Sequence, residues 1–329
     1  MTAKIDFVVT WVDGNDIEWQ KEKEHWQDKK EDVLNTSDRF RDWEFMPYWF
    51  RAIEKNTPWV NKIFFITQGH IPDWLDTKHP KLSIVRHSDY IPNEYLPTFN
   101  SNVIELNLHR IKELSENFVL FNDDMFVNKK MGEIAFFENN LPKDIGVLSP
   151  LVPSRGTITS IVLNNVEIIN DYFESRELIK NNFFKMFNLK YGKHTIKNIC
   201  ILPWKNILGF YDSHIPISYK KSIFNKVWEK EPEILYATST NKFRTREDVN
   251  HWLMRYWQIC EGNFVPKWEK SGKYYNISDK LDNIVQDILF EKHGLICLND
   301  GKIKDFQKSK QTILNAFQTR YPEKSSFEK

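Results

Sequence analysis

A chain of 329 residues is long enough to bury a substantial core, as one large α/β domain or a domain with a smaller subdomain. Lys+Arg 46 against Asp+Glu 45 leaves a net charge of +1, so no global field selects nucleic acid, and an anionic substrate must be held by local clusters. Three cysteines, Cys200, Cys260 and Cys297, have no close spacing, which excludes a disulfide framework or zinc motif and fits a reducing compartment.

Residues 5–12 are β-branched and aromatic and end at Asp13-Gly14-Asn15-Asp16, a strand followed by a polar loop. Residues 18–30 read as a charged helix with Trp19 and Trp26 on one buried stripe. Residues 42–55 space Trp43, Met46, Trp49, Phe50 and Ile53 as a helix does, and the following Asn56-Thr57-Pro58 stops it. Strands are predicted over 62–67, 82–85 and 118–121, with a helix over 103–114. This order implies a parallel, Rossmann-like sheet flanked by helices. Beyond residue 140 the pattern is mixed. Strand-like runs cover 145–153 and 156–163, helices 166–189, 218–228, 248–260 and 302–316, and the last eight residues read as frayed. A boundary near 140 separates residues 1–140, the half with the Asn122-Asp123-Asp124 motif, from 141–329, which completes the same catalytic domain.

The run 118–121 ends abruptly in Asn122-Asp123-Asp124, at the strand end where open α/β sheets bind ligands. Adjacent carboxylates repel unless a proton or cation intervenes, and a hard divalent ion with a nucleotide diphosphate would satisfy them. An Asx-rich turn is the alternative. The loop Trp11 to Asp16 suits close backbone approach to a ligand at Gly14, or an ordinary turn with Asp16 as N-cap. Arg39, Arg41 and Asp42 precede a helix and suit either a phosphate or mutual pairing. His214 could accept a proton near neutral pH, or be a surface residue. Arg244 could clamp phosphate, with Glu247 and Asp248 offsetting a helix dipole. No P-loop, Gly-x-Gly-x-x-Gly, Gly-x-Ser-x-Gly or His-Glu-x-x-His occurs, which argues against NTPases, classical dehydrogenases, elbow-type serine hydrolases and zincins.

Taken together these clusters resemble the conserved regions of the Stealth family. That family holds bacterial capsular and exopolysaccharide phosphotransferases and the catalytic core of animal N-acetylglucosamine-1-phosphotransferase. The resemblance is carried by residues 5–16, by the stretch from Arg39 to Phe126, and by the segments around His214-Ile215-Pro216 and 243–249. The animal enzyme's large insertions are absent, so its recognition of lysosomal enzymes does not carry over. The resemblance implies a GT-A-like α/β fold. It also implies transfer of a sugar 1-phosphate from a UDP-sugar donor to a hydroxyl of an oligosaccharide acceptor, expected to be lipid-linked, with UMP leaving. It suggests Mg²⁺ or Mn²⁺ on Asp123 and Asp124, unless one of these orients the acceptor. His214 would be the general base and Arg244 the group stabilising transferred phosphate, with Arg41 as a second candidate. Trp11, Asp13, Gly14, Asp16, Arg39, Arg41 and Asp42 would form the nucleotide end. Thr98, Asn100, Glu105, His109 and Arg110 would line the sugar or acceptor side, Glu105 and His109 sharing a helix face. A metal-dependent GT-A glycosyltransferase and a non-catalytic glycan-binding module are the alternatives. With no leader and no long apolar run visible, the expected location is the cytoplasm, including the inner face of the plasma membrane, where basic patches and aromatics would supply peripheral association.

Overall fold

The computed structural model describes residues 3–27, 33–35, 41–278 and 280–329. Its eleven strands among these are β1 Ile5–Thr10, β2 Ile63–Thr67, β3 Leu82–Arg86, β4 Asn117–Asn122, β5 Met125–Val127, β6 Phe137–Glu138, β7 Leu141–Asp144, β8 Ile217–Lys220, β9 Val265–Pro266, β10 Gly272–Asn276 and β11 Leu295–Asn299. The main sheet runs β3-β2-β1-β4-β8. Its first four strands are parallel, and β8 is antiparallel to β4.

Strand periodicity divides the core. Val8, Phe64, Ile66, Phe118 and Leu120 pack on one face, while Phe7, Val9, Phe65, Val119 and Phe121 pack on the other. Successive side chains point to opposite faces, so the strands read as continuous apolar runs rather than alternating ones. The helix Met46–Asn56 covers the second face with Trp49, Phe50 and Ile53, as its spacing predicts. Two three-stranded sheets, β10-β11-β5 and β6-β7-β9, lie beyond β4.

Several expectations are corrected. The helix Ile17–Trp26 buries Trp19 but leaves Trp26 exposed, with Lys242 over its ring. The helix expected over 103–114 is the short helix Ser101–Leu106 followed by a 3₁₀ turn, Leu108–Arg110. No named strand covers 145–153; Leu148 makes one isolated bridge to Phe210. Residues 156–163 lead into the helix Thr159–Tyr172, whose Ile161, Val162, Val166 and Ile169 are buried at helical spacing. The long helix expected over 166–189 is broken into that helix, Ser175–Asn181 and Phe183–Met186. Residues 217–220 form β8 before the helix Lys221–Lys230, because pairing with β4 outweighs local helical periodicity. The last residues are docked rather than frayed: Phe327 is 3% exposed against Phe50, and Arg51 grips Glu328 through two hydrogen bonds of 2.8 and 2.7 Å.

Candidate active site

β4 stops at Asn122, the chain turns through Asp123 and Asp124, and β5 leaves in another sheet. The turn is tied down by the Leu298 amide, which donates to the Asp124 carbonyl at 2.8 Å. The Cys297 thiol of β11 donates to Asp124 Oδ2 at 3.3 Å. Asp124 Oδ1 is buried and has no hydrogen-bond partner among the described residues. An unpartnered buried carboxylate oxygen is costly, so it marks a place where something else belongs.

His214 meets this carboxylate from the far side of the sheet edge. Because β8 runs antiparallel to β4, with Ile217 opposite Leu120, the residues before β8 arrive where β4 ends. Ligand atoms of Asp124, His214 and Cys297 lie within 4.8 Å of one another. His214 has φ 49°, a left-handed conformation uncommon for a residue with Cβ and enriched at functional sites. Trp252 and Tyr274 present edges to its ring at 6.0 and 5.2 Å. Burial lowers the His214 pKa, against the pull of Asp124, and favours the neutral, proton-accepting imidazole. Burial likewise raises Asp124.

Four carboxylates gather along this edge. Asp123 is raised to about 7 by burial first, then by the charges of Asp124 and Asp42. Water still reaches the Asp123 side chain, which screens that rise. Asp42 is raised by burial and also feels Asp13. Such a set fits a hard divalent cation such as Mg²⁺ or Mn²⁺, whose preferred donors are carboxylate oxygens. The Cys297 thiol is pushed far up by burial and by Asp124, so it stays protonated and is not the thiolate that zinc would select.

Arg244 stands at the end of an electrostatic chain reaching the same cleft. Its guanidinium donates to Ser101 Oγ and feels Glu105 and Asp248. Glu105 Oε2 lies 3.5 Å from His251 Nε2, and His251 in turn feels His214. Burial raises Glu105 to about 7 and lowers His251 to about 3. Asn100 builds this wall by donating to Asp248 and to the Phe243 carbonyl, and its side chain caps the helix carrying Ser101 and Glu105.

Other expected residues have structural partners. Asp16 caps the helix Ile17–Trp26 by accepting from Trp19 at 2.7 Å, and Gly14 accepts from Gln20. Trp11 packs on Phe65. Arg41 lies 3.5 Å from Asp300 and over the Phe306 ring. Thr98 is buried and accepts from the Asn100 amide. His109 and Arg110 turn to Trp228 instead of sharing a face with Glu105, because the helix ends at Leu106. Arg39 lies outside the described residues.

Sequence reasoning missed a buried network behind His214. Arg255, 3% exposed, is bidentate to Asp144 at 2.9 and 2.8 Å and also donates to Asp212, whose other oxygen accepts from Tyr256. This holds the backbone two residues before His214. Arg255, Asp144, Asp212 and Lys267 line a cavity with His214 and Trp252. One signal was available: Arg255 interrupts the apolar helix Trp252–Cys260, and a charge there must be paired.

A mostly parallel α/β sheet that gathers carboxylates, a histidine and an arginine near one edge defines an enzyme of the group-transfer class. Residues 3–31 match Stealth protein CR1, conserved region 1, and residues 39–144 match Stealth protein CR2, conserved region 2. The chain is 54% identical over 330 residues to the capsular polysaccharide phosphotransferase WcwK of Streptococcus pneumoniae, covering 99% of this chain and 98% of that one. It is 40% identical over 328 residues to the exopolysaccharide phosphotransferase cps2G of Lactiplantibacillus plantarum, covering 99% and 96%. It is 39% identical over 331 residues to the receptor polysaccharide phosphotransferase WefC of Streptococcus oralis, covering 99% of each. The chain belongs to the Stealth family and is a phosphotransferase. Among solved structures it is similar to the WbbM bifunctional glycosyltransferase, with a TM-score of 0.42 at 11% identity, covering 98% of this chain and 52% of that one. Among the described residues no helix is long and apolar enough to cross a membrane.

Proposed function

We propose that the protein transfers a hexose- or N-acetylhexosamine-1-phosphate from a UDP-sugar to a hydroxyl of a glycan acceptor, in the synthesis of a capsular or cell-surface polysaccharide. The observation that carries this reading is the buried, unpartnered Asp124 Oδ1 facing a neutral His214 at the carboxyl edge of β4. The names of the full-length relatives support a polysaccharide acceptor.

His214 takes the proton of the acceptor hydroxyl. The hydroxyl oxygen forms a new bond to the β-phosphorus, and the bond from that phosphorus to the oxygen bridging the two phosphates breaks. UMP leaves, the anomeric C–O bond survives, and the product is a phosphodiester. Asp123 and Asp124 would hold Mg²⁺ or Mn²⁺, which would neutralise diphosphate charge when bound. Arg244 is the cation of the chain itself set to meet transferred phosphate. Asp13, Gly14 and Asp42 serve the nucleotide end.

The test is a donor screen with an oligosaccharide acceptor and mass detection of the nucleotide product. UMP is expected. Release of UDP would overturn phosphotransfer in favour of glycosyl transfer. Sugar binding that needs neither nucleotide nor divalent ion, with no turnover, would leave a glycan-binding module.

A further inference from the structure

Between Glu177 and Asp212 the sequence has six lysines, at 180, 185, 190, 193, 197 and 205, and no Asp, Glu or Arg. The same stretch holds a concentration of exposed large apolar side chains. Phe184 is 84% and Leu189 94% exposed, and Phe183, Ile196, Ile199 and Trp204 are each more than half exposed. The short helices here turn Met186, Tyr191, Asn198 and Ile201 toward the body. Asn198 locks them by donating to the Gly146 and Met186 carbonyls at 2.9 and 2.7 Å. Ile196 and Ile199 share the opposite face of the helix Thr195–Ile201. Folding therefore leaves Phe, Leu, Ile and Trp outside although the segment has a packed inner side. A monomer in water gains nothing from that arrangement.

We infer that residues 180–205 form a docking surface for an anionic lipid bilayer. Protruding aromatic and aliphatic side chains beside the exposed Lys180 and Lys193 suit the headgroup boundary, where the rings and alkyl groups enter and the ammonium groups meet lipid phosphates. Lys185, Lys190 and Lys197 are half-buried and donate to Gly262, Pro266 and Ser149, and Lys205 pairs with Glu174. A second copy of this chain would bring its exposed Lys180 and Lys193 against the same pair. Protein–protein interfaces are depleted in lysine and favour arginine, which this stretch lacks. The surface adjoins the candidate site: the His194 ring lies 4.5 Å from that of Tyr211, Lys197 sits over the same ring, and Lys190 donates to the Pro266 carbonyl. Tyr211 is three residues before His214, and Lys267 follows Pro266 in the cavity beside it. A bilayer docked here adjoins the cavity that His214 and Lys267 line.

The experiment is flotation of the full chain with phosphatidylcholine vesicles containing about a third phosphatidylglycerol, against phosphatidylcholine alone. The unaltered protein is expected to float with the anionic vesicles and less so at high salt. Each neutralised lysine should weaken binding about fivefold, so Lys180→Gln/Lys193→Gln should lose about 25-fold, with Phe184→Ser/Leu189→Ser also falling off. Both variants should keep the thermal midpoint, since the changed side chains are exposed. Absence of binding, or binding that both variants retain, would overturn the inference. So would a wild-type dimer that these variants dissolve. Vesicle binding is read without turnover, so it stands or falls apart from the proposed phosphotransfer.

Discussion

Replacing Arg255 with leucine isolates the contribution of the buried network behind His214. The guanidinium makes three bonds to Asp144, one to Asp212 and one to the Tyr211 carbonyl at 3.0 Å. Leucine removes all five and leaves two carboxylates in a poorly hydrated site, lined also by Lys267 and by Lys143, which already pairs with Glu138. Breaking a buried ion pair by deleting one partner costs about 3–5 kcal/mol, a large share of a stability of roughly 5–15 kcal/mol. The loss should depend on pH. Asp212 is already raised from 3.8 to about 6, chiefly by burial, with Arg255 pulling it down. Without Arg255 its folded pKa rises further while the unfolded value stays. Over that interval the folded chain binds the extra proton, so acidification favours folding of the variant more than of the wild type. Urea unfolding followed by tryptophan fluorescence should therefore show the full gap at about pH 8 and a smaller one at about pH 5. A gap below about 1 kcal/mol at the higher pH, or one that does not change with pH, would refute the reasoning. Arg255→Lys keeps the charge but loses the planar fork, and should fall between the two.

Asp124→Asn should abolish turnover and weaken Mn²⁺ binding measured by paramagnetic resonance, while stability holds or rises, because a buried carboxylate short of partners is replaced by a neutral amide. A large loss of stability would instead assign Asp124 a purely structural role. His87 is buried with Nδ1 unpartnered, and burial lowers its pKa from 6.5 to about 4. The unfolded chain binds the extra proton between those values, so stability should fall as pH drops from 6.5 toward 4, by up to roughly 3 kcal/mol. His87→Leu should flatten that part of the profile in denaturant titrations at stepped pH. Phe327→Ala should cost about 3 kcal/mol in urea unfolding, since the ring is buried against Phe50; a negligible cost would mean the terminus contributes little.

The parallel half of the fold was legible because its central strands are buried on both faces and the helix Met46–Asn56 obeys the 3.6 period. The break from Phe121 to Asn122-Asp123-Asp124 was legible for the same reason: an apolar strand cannot continue into adjacent carboxylates. Elsewhere tertiary pairing overrode local pattern. Ile223, Phe224 and Val227 carry a helical stripe that does not reveal where the helix starts, and only register with β4 makes residues 217–220 a strand. The run 156–163 has strand-like β-branched residues, yet its burial follows a helix. Cys297 and Lys267 carried no signal. Cys297 reaches the site from β11 and Lys267 from the residue after β9, both far along the chain, and nothing in their neighbours marks them. Glu105 and His109 were placed on one helix face by their spacing of four, which fails once a helix ends between them.

The acidic side of the cleft sets the division of labour in the proposed reaction. Asp13, Asp42, Asp123 and Asp124 belong to loops that follow β1, precede the helix Met46–Asn56 and follow β4. Arg244 comes from beyond residue 240, whereas Arg255 is buried behind His214 and paired with Asp144 and Asp212. A diphosphate could not approach this acidic side unaided, since each phosphate charge would add to carboxylates that burial first, and their mutual charges second, already raise at Asp123 and Asp42. A bound cation would reverse that sign. His214 stands beside Asp124. Burial keeps it neutral, and the adjacent Asp124 carboxylate favours the imidazolium that forms once it has taken a proton. In the proposed reaction the same carboxylate would help to hold the metal and steady the base through its charge. Asp124→Asn should accordingly be more damaging than Asp123→Asn, whose side chain is the more exposed of the pair and is not part of the cluster with His214. Equal losses in kcat for the two variants would refute this asymmetry.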